Sequence, residues 1–105
     1  MNEIIYTPEA SQDLSEIKSY ISNELMNPIA ALRIISGITH RIETLIDHPQ
    51  MGMVVMYTRN ESAKNYRYLT CGNYIVFYRY EHKQIHIVRV LHGKQDYLRI
   101  LFEEV

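Results

Sequence analysis

The spacing of apolar residues predicts one short strand and then two helices in the first half of the chain. Residues 3–6 (EIIY) are mostly β-branched or aromatic, which is typical of a strand. A helix is predicted to begin at Pro8, because Thr7 can cap it and proline loses nothing at the first helical position. Asn27 and Pro28 repeat this signal. The apolar stripes that follow the two starts are Ala10, Leu14, Ile17, Ile21 and Leu25, then Ala31, Ile34, Ile35, Ile38, Ile42 and Leu45. The short connection between them predicts an antiparallel helical hairpin.

Beyond Gly52, apolar residues recur at every second position, which predicts strands. The strand segments are residues 53–58, 65–71, 74–80 and 84–92. Gly72 and Asn73 predict a tight turn, and residues 94–102 predict a short C-terminal helix. The order of elements predicts an α+β fold in one domain, residues 1–105. An N-terminal strand and an antiparallel two-helix hairpin pack on a mostly antiparallel β-sheet, and the short helix closes the chain.

Both faces of the predicted strand 74–80 are largely apolar. Tyr74, Val76, Tyr78 and Tyr80 point to one side, and Ile75 and Phe77 point to the other. A strand with one face in water would alternate apolar with polar residues. Part of the second face is therefore covered, either by the C-terminal helix or by a partner protein.

Composition narrows the class of protein. The single cysteine, Cys71, has no partner for an internal disulfide, which favours a reducing, cytoplasmic setting and a packed structural role. The first residues lack the basic and apolar regions of a secretory signal, and no apolar run reaches the ~20 residues of a membrane helix. The five histidines show no metal-ligand spacing, and no glycine motif for nucleotides is present. We therefore expect no metal, no other cofactor and no membrane partner.

Charge and tyrosine content each allow two interpretations. Residues 1–63 carry four basic and eight acidic side chains, whereas residues 64–99 carry seven basic and two acidic ones. The basic segment can attract an acidic partner or can be ordinary surface. The nine tyrosines, against two phenylalanines and no tryptophan, fit half-buried strands and protein interfaces equally well.

Residues 89–102 (RVLHGKQDYLRILF) gather polar side chains where the last predicted strand meets the last helix. Cleavage of RNA through its own 2′-hydroxyl needs a base, an acid and cations for the developing charge. The candidate catalytic residues are Arg67, Arg89, His92, Lys94 and Tyr97. Of these, His92 and Tyr97 can exchange protons, and the three cations can hold phosphate. The alternative is structural: His92 anchors the corner and Asp96 caps the closing helix.

The ordered set of motifs resembles toxins of the RelE/ParE superfamily from bacterial type II toxin–antitoxin modules. The segment YTPEASQDLSEIKSYI resembles the opening strand and helix of these toxins, and LIDHPQMG resembles their helix end. The segments YRYLTCGNYIVFYRY and IHIVRVLHGKQDYLRIL resemble their C-terminal strands and final helix. The resemblance covers nearly the whole chain. It implies the RelE/ParE toxin fold, growth inhibition as part of a plasmid stabilisation module, and a cognate antitoxin as partner.

The superfamily has two activities. RelE-type toxins are ribosome-dependent endonucleases that cut mRNA, and ParE-type toxins bind DNA gyrase. RelE-type chains commonly carry arginines where this chain has Ile75 and Gly93, although Lys94 and Tyr97 remain. With fewer positively charged side chains, the chain would bind the phosphates of RNA more weakly. The segment RVLHGKQD is also similar to the corresponding segment of ParE-type toxins. The resemblance therefore implies a gyrase-binding toxin, with an mRNA interferase as the alternative and a non-toxic, antitoxin-binding relative as a third possibility.

The resemblance also implies an antitoxin whose amphipathic, often acidic C-terminal segment wraps the toxin. The predicted antitoxin-binding residues are Leu14, Ile17, Ile21, Arg79 and Arg89. The three apolar side chains would anchor a helix in a groove, and the two arginines would attract its acidic residues. The alternative is that the apolar residues belong to the core.

Overall fold

The computed structural model describes residues 1–55 and 65–102, and its elements follow the predicted order. The strands are β1 (Glu3–Tyr6), β2 (Met53–Val54), β3 (Tyr66–Cys71), β4 (Tyr74–Glu81) and β5 (Gln84–His92). The helices are α1 (Pro8–Ser19), α2 (Pro28–Glu43) and α3 (Tyr97–Phe102). A π-helical turn (Tyr20–Glu24) continues α1, and a 3₁₀ turn (Thr44–Ile46) continues α2. Of the predicted strand 53–58, residues 56–58 lie outside the described residues.

Both long helices begin at the predicted prolines. The Thr7 hydroxyl accepts the N–H of Ala10 at 3.1 Å, and the Asn27 side chain accepts the N–H of Ala30 at 3.1 Å. Each cap satisfies a backbone donor that the first helical turn leaves without a partner. The two helices pack against each other, which confirms the predicted hairpin.

The apolar stripe predicted for the first helix is wrong at its end. Ile21 is buried, but Leu25 is 56% exposed. The π-helical turn over Tyr20–Glu24 explains the difference. A π turn takes more residues per turn than an α-helix, so it rotates the following side chains out of the predicted phase.

The sheet of the described residues contains five strands in the order β1-β5-β4-β3-β2. The three pairs among β2, β3, β4 and β5 are antiparallel, whereas β1 lies parallel to β5, with Glu3 opposite Gln84 and Tyr6 opposite Ile87. The parallel pair is possible because the helical hairpin and three strands separate β1 from β5 in the sequence. The prediction of a mostly antiparallel sheet is confirmed.

The sheet has an apolar cluster on each face. Between the helices and the sheet, the largest fully buried side chains include Ile38, Ile42, Tyr78 and Ile85. On the other face, Val55, Phe77 and Leu91 are buried. They pack against three side chains of α3, which are Tyr97, Ile100 and Leu101. The alternation predicted for β4 is confirmed, and among the described residues the closing helix covers part of the second face.

Tyr78 holds the turn that follows α2. Its hydroxyl donates to the carbonyl of Pro49 at 2.9 Å and accepts the N–H of Gly52 at 2.8 Å. Residue 52 must be glycine at this contact, since a Cβ would lie 2.5 Å from the Tyr78 hydroxyl. The Arg67 guanidinium also donates to the carbonyl of Gly52, at 2.9 Å. Two side chains of the sheet thus supply the hydrogen bonds that this irregular backbone needs.

We predict that Tyr78→Phe lowers the free energy of unfolding by about 1–3 kcal/mol, because two backbone groups lose a buried partner. Burial raises the pKa of the Tyr78 phenol, although the Gly52 N–H and the charge of Arg67 oppose this shift. The raised pKa means that the folded state favours the neutral phenol. Its stabilisation is therefore complete below the unfolded pKa of about 10 and is lost as the pH rises through the folded value.

Urea unfolding from pH 7 to pH 11 tests both statements. The stability of the unsubstituted protein should fall more steeply above pH 10 than that of Tyr78→Phe. Tyr68→Phe is the matched control, since among the described residues the Tyr68 hydroxyl bonds only to the sulfur of Met53, at 3.8 Å and at an exposed position. Equal losses of stability in the two variants would contradict the prediction.

Candidate functional site

An open groove of about 440 Å³ runs between α1 and the C-terminal half of β5. Side chains of α1 and the π-helical turn form one wall, and side chains of β4, β5 and the corner before α3 form the other. The helical wall contributes Asp13, Glu16, Ile17 and Tyr20. The opposite wall contributes Tyr74, Arg89, His92 and Gln95. Two tyrosines and one isoleucine next to charged groups give the groove an amphipathic lining.

The groove exists because β1 is shorter than β5. β1 pairs with β5 only as far as Ile87, so beyond that residue no strand of residues 1–55 or 65–102 lies beside this edge of β5. Side chains satisfy its backbone instead. Val88 O accepts the Thr7 hydroxyl at 2.8 Å, Val90 N–H donates to Asp13 at 2.9 Å, and His92 N–H donates to Gln95 at 2.8 Å. A sheet edge that would otherwise invite another strand is thus closed at these three positions.

Asp13 and Arg89 form a two-pronged ion pair on the floor of the groove. Arg89 Nε lies 2.7 Å from Asp13 Oδ2, and Arg89 Nη2 lies 2.8 Å from Asp13 Oδ1. Asp13 is only 7% exposed and also accepts the Val90 N–H, so its carboxylate is fully engaged. A β-bulge lies beside this pair: Phe77 faces Arg89 and Tyr78 faces Ile87 across the β4–β5 ladder. Bulges of this kind change the direction of nearby side chains.

The helical wall around Arg89 is acidic. The hydrogen bonds that Arg89 donates to Asp13 raise the pKa of the guanidinium; burial opposes this, and the negative charges of Asp13, Glu9 and Glu16 reinforce it. Three carboxylates therefore surround one guanidinium. The groove itself is not the basic surface that the charge of residues 64–99 suggested.

His92 occupies the structural position that the sequence allowed. Its Nδ1 accepts the N–H of Lys94 at 3.2 Å, and its ring meets the Tyr74 ring edge-on at 5.4 Å. Asp96 caps α3: its carbonyl accepts the Ile100 N–H at 3.1 Å, and its side chain lies 3.4 Å from the N of Arg99. The corner is held by local hydrogen bonds.

The fold does not bring the proposed acid and base together. His92 pairs with Tyr74, which packs against the cluster on the helical-hairpin face. Tyr97 stacks on Phe77 at 5.2 Å, in the cluster on the α3 face. The two side chains therefore belong to opposite faces of the sheet.

The other catalytic candidates are also dispersed. Arg67 lies opposite Tyr78, whereas His92 lies opposite Tyr74, so the two are about 13 Å apart along the sheet at ~3.3 Å per residue. Arg67 donates to the turn after α2, and Lys94 is exposed beside the Gly93 corner. Within the described residues, only Arg89 and His92 of the five share the groove.

The predicted antitoxin-binding residues are divided in the same way. Ile17 lines the groove, while Leu14 packs against the core and Ile21 is buried. Arg79 forms an exposed ion pair with Glu81 at 3.0 Å. Strand alternation places Arg79 on the α3 face, since its neighbour Tyr78 lies on the other. These residues do not form one continuous surface.

Sequence reasoning missed Asp13, Glu16, Tyr20, Tyr74 and Gln95 as groove residues. For Asp13 a signal was present, because it lies at helical spacing from Ala10 and Ile17 on the apolar stripe. An acidic residue at such a position predicts a buried partner. The partner itself, 76 positions away, has no signal in the sequence.

Two expectations concern absences. In the part of the chain that the structure describes, no group of three histidine, cysteine or carboxylate side chains could hold a metal ion. No helix among the same residues is long and apolar enough to cross a membrane.

Comparison with known proteins gives one family match. Residues 4–97 match the family described as the ParE toxin of the type II toxin–antitoxin system parDE. A comparison with curated protein sequences finds no match.

Similar folds occur among solved structures. The chromosomal ParDE toxin–antitoxin system from P. aeruginosa has a TM-score of 0.71 at 23% identity, over 88% of this chain and 96% of that chain. The RelBE2 toxin–antitoxin complex from Mycobacterium tuberculosis has a TM-score of 0.62 at 22% identity, over 87% and 90%. YafQ from E. coli strain BL21(DE3) has a TM-score of 0.53 at 16% identity, over 88% and 93%. The α+β fold predicted from the sequence is thus the fold of these solved structures.

We predict that Asp13→Ala lowers the free energy of unfolding by about 3 kcal/mol, because it leaves a partly buried guanidinium and the Val90 N–H without their partner. The double variant Asp13→Ala/Arg89→Met should lose less stability than the sum of the single variants, by at least about 1 kcal/mol. Urea unfolding of the four proteins measures this coupling. Glu16→Ala, on the same helix but exposed, is the control. A loss in Asp13→Ala no larger than that in Glu16→Ala would show that the pair does not hold α1 to β5.

Proposed function

The chain belongs to the ParE toxin family of type II toxin–antitoxin systems, and from this premise we propose that it stops growth by binding DNA gyrase and is neutralised by a cognate antitoxin. The family match over residues 4–97 is the observation that carries the proposal. The toxin would act in the cytoplasm as part of a plasmid stabilisation module. It would trap the complex of gyrase with cleaved DNA by binding alone, without chemistry of its own.

The dispersal of the candidate catalytic residues supports a binding mechanism. General acid–base catalysis needs its groups within hydrogen-bond reach of one substrate. Here His92 and Tyr97 lie on opposite faces of the sheet, and Arg67 is committed to the turn after α2. Arg89 is already paired with Asp13, so its two prongs are not available to a phosphate.

An mRNA interferase is the second candidate function. The observation that favours it is that Arg89 and His92 line the same groove. Arg89 would have to leave Asp13, or use its remaining Nη1 donors, for the cation and the imidazole to approach one phosphodiester. This mechanism would have to use a subset of the predicted catalytic residues, since Lys94 and Tyr97 do not line that groove.

The groove is the proposed antitoxin site, with Ile17 as the one sequence-predicted apolar anchor that lines it. Its volume suits one or two large apolar side chains of an amphipathic helix, placed against Ile17, Tyr20 and Tyr74. The acidic helical wall favours a lysine or arginine on the same helix, facing Glu9 and Glu16. Two of the similar structures are described as toxin–antitoxin systems or complexes, which supports a partner of this kind.

Induction of the chain without antitoxin, followed by pulse labelling, tests the target. We predict an early stop in DNA synthesis with an SOS response, while translation continues. Purified gyrase with the purified chain should accumulate cleaved DNA. An early stop in translation, with mRNA cut inside codons, would contradict gyrase binding and support the interferase.

Two variants sharpen this experiment. His92→Ala and Tyr97→Phe should retain toxicity under the gyrase mechanism and lose it under the nuclease mechanism. Tyr97→Phe keeps the ring that packs on Phe77, so it preserves the fold and removes only the hydroxyl. Circular dichroism confirms that each variant is folded before its toxicity is compared.

The antitoxin site is tested by affinity for the antitoxin encoded beside this chain. We predict that Tyr20→Ala and Glu16→Lys each weaken binding at least tenfold, because they remove an exposed aromatic contact and reverse a charge on the groove wall. Arg79→Glu, on the other face, should change affinity less than threefold. A large effect of Arg79→Glu with none from Tyr20→Ala would move the site to the basic α3 face.

A further inference from the structure

The bend between the two long helices exposes a cluster of large apolar side chains. Leu25, Met26, Ile29 and Leu32 are between 56% and 85% exposed. We call these four residues the bend patch. Together they present on the order of 500 Å² of apolar surface, which is at the upper end for the largest patch on a soluble monomer.

Core packing does not account for the bend patch. The inward face of α2 is formed by Ala31, Ile38 and Ile42, which are at most 1% exposed. Ile29 and Leu32 lie one helical turn apart on the outward face. Leu25 and Met26 precede the helix, and Met26 has a positive φ of 51°. A methionine in the left-handed region is strained, which is tolerated where the surrounding structure or a partner requires that backbone.

Charges of opposite sign flank the bend patch. Glu24 precedes it and Arg33 follows it, and both side chains are exposed. Neither forms an ion pair with another residue within 1–55 or 65–102. A two-fold axis repeats every contact between the copies, so a dimer in which Glu24 of one copy lies near Arg33 of its partner would form that ion pair twice.

We propose that the bend patch is the contact between two copies of this chain, related by a two-fold axis. Two such patches with their polar rim bury on the order of 1,000–1,200 Å², the lower limit for a specific interface. The rim of the patch carries one acidic and one basic side chain, so its charges can pair with those of a second copy. A strongly acidic or strongly basic partner would instead favour a rim with charges of one sign only. The dimer therefore forms weakly and depends on concentration. This inference does not rest on the target of the toxin.

Sedimentation equilibrium of the full chain, from about 5 to 500 µM, tests the contact. The chain should shift from monomer to dimer within this range. Ile29→Glu should raise the dissociation constant at least tenfold, because it places a charge in the centre of the patch. Met53→Glu is the matched control, since Met53 is 65% exposed on β2, away from the bend. It should leave the dissociation constant within threefold of the unsubstituted value.

A charge exchange tests the two-fold arrangement. Glu24→Arg and Arg33→Glu should each weaken the dimer, and the double variant should recover most of the lost affinity, because it re-forms both pairs with reversed polarity. All these positions are exposed, so thermal unfolding should be unchanged and a folding defect can be distinguished from a lost contact.

Three results would overturn the proposal. The chain could remain monomeric up to 500 µM, Met53→Glu could act as strongly as Ile29→Glu, or the double charge variant could fail to recover. Loss of antitoxin affinity in Ile29→Glu, in a chain that is itself monomeric, would assign the bend patch to the antitoxin instead of a second copy.

Discussion

The attachment of α1 to β5 by the Asp13 carboxylate is the constraint on which the groove depends. β5 extends beyond the end of β1, and each backbone group on its open edge needs a partner if it is to be buried. Asp13 satisfies the Val90 N–H and two donors of Arg89 from one helical position. With Thr7 bonded to Val88, the start and the middle of α1 are both fixed to the same strand. The groove that remains is therefore bounded by rigid walls.

The two apolar faces of the sheet determine how the chemistry-bearing residues are distributed. The helical hairpin covers one face and α3 covers the other, so residues a few positions apart in the sequence can be separated by the thickness of the sheet. His92 and Tyr97 are close in sequence, yet one ring contacts Tyr74 and the other contacts Phe77. The corner between β5 and α3 is accordingly a structural junction with its own hydrogen bonds. The side chains of His92, Gln95 and Asp96 each accept a backbone N–H there.

Tyrosine serves two purposes in this protein, which is why its abundance alone could not be interpreted. Tyr78 is fully buried and uses its hydroxyl to hold the turn after α2. Tyr20 and Tyr74 line the groove, where an aromatic body and a polar tip suit contact with a partner protein. Arginine is divided in the same way: Arg67 and Arg89 are engaged inside the molecule, while Arg79 and Arg33 remain on its surface. The residue type showed which roles a tyrosine or an arginine can have, and its position in the fold determines which of these roles it has.

The sequence by itself determined the elements that depend on local interactions. Caps at Thr7 and Asn27, the change of apolar period after Gly52 and the alternation along β4 were enough to predict the α+β fold, and among the described residues α3 covers part of the second face. Such signals are local because a cap, a turn or a strand face involves residues a few positions apart. Only the tertiary structure decided that Leu25 is exposed, that Asp13 pairs with Arg89 and that the five catalytic candidates are not gathered in one place. These outcomes depend on a π turn, a bulge and the unequal lengths of β1 and β5. Apolar spacing does not encode these features, and the Asp13–Arg89 contact joins residues that are 76 positions apart.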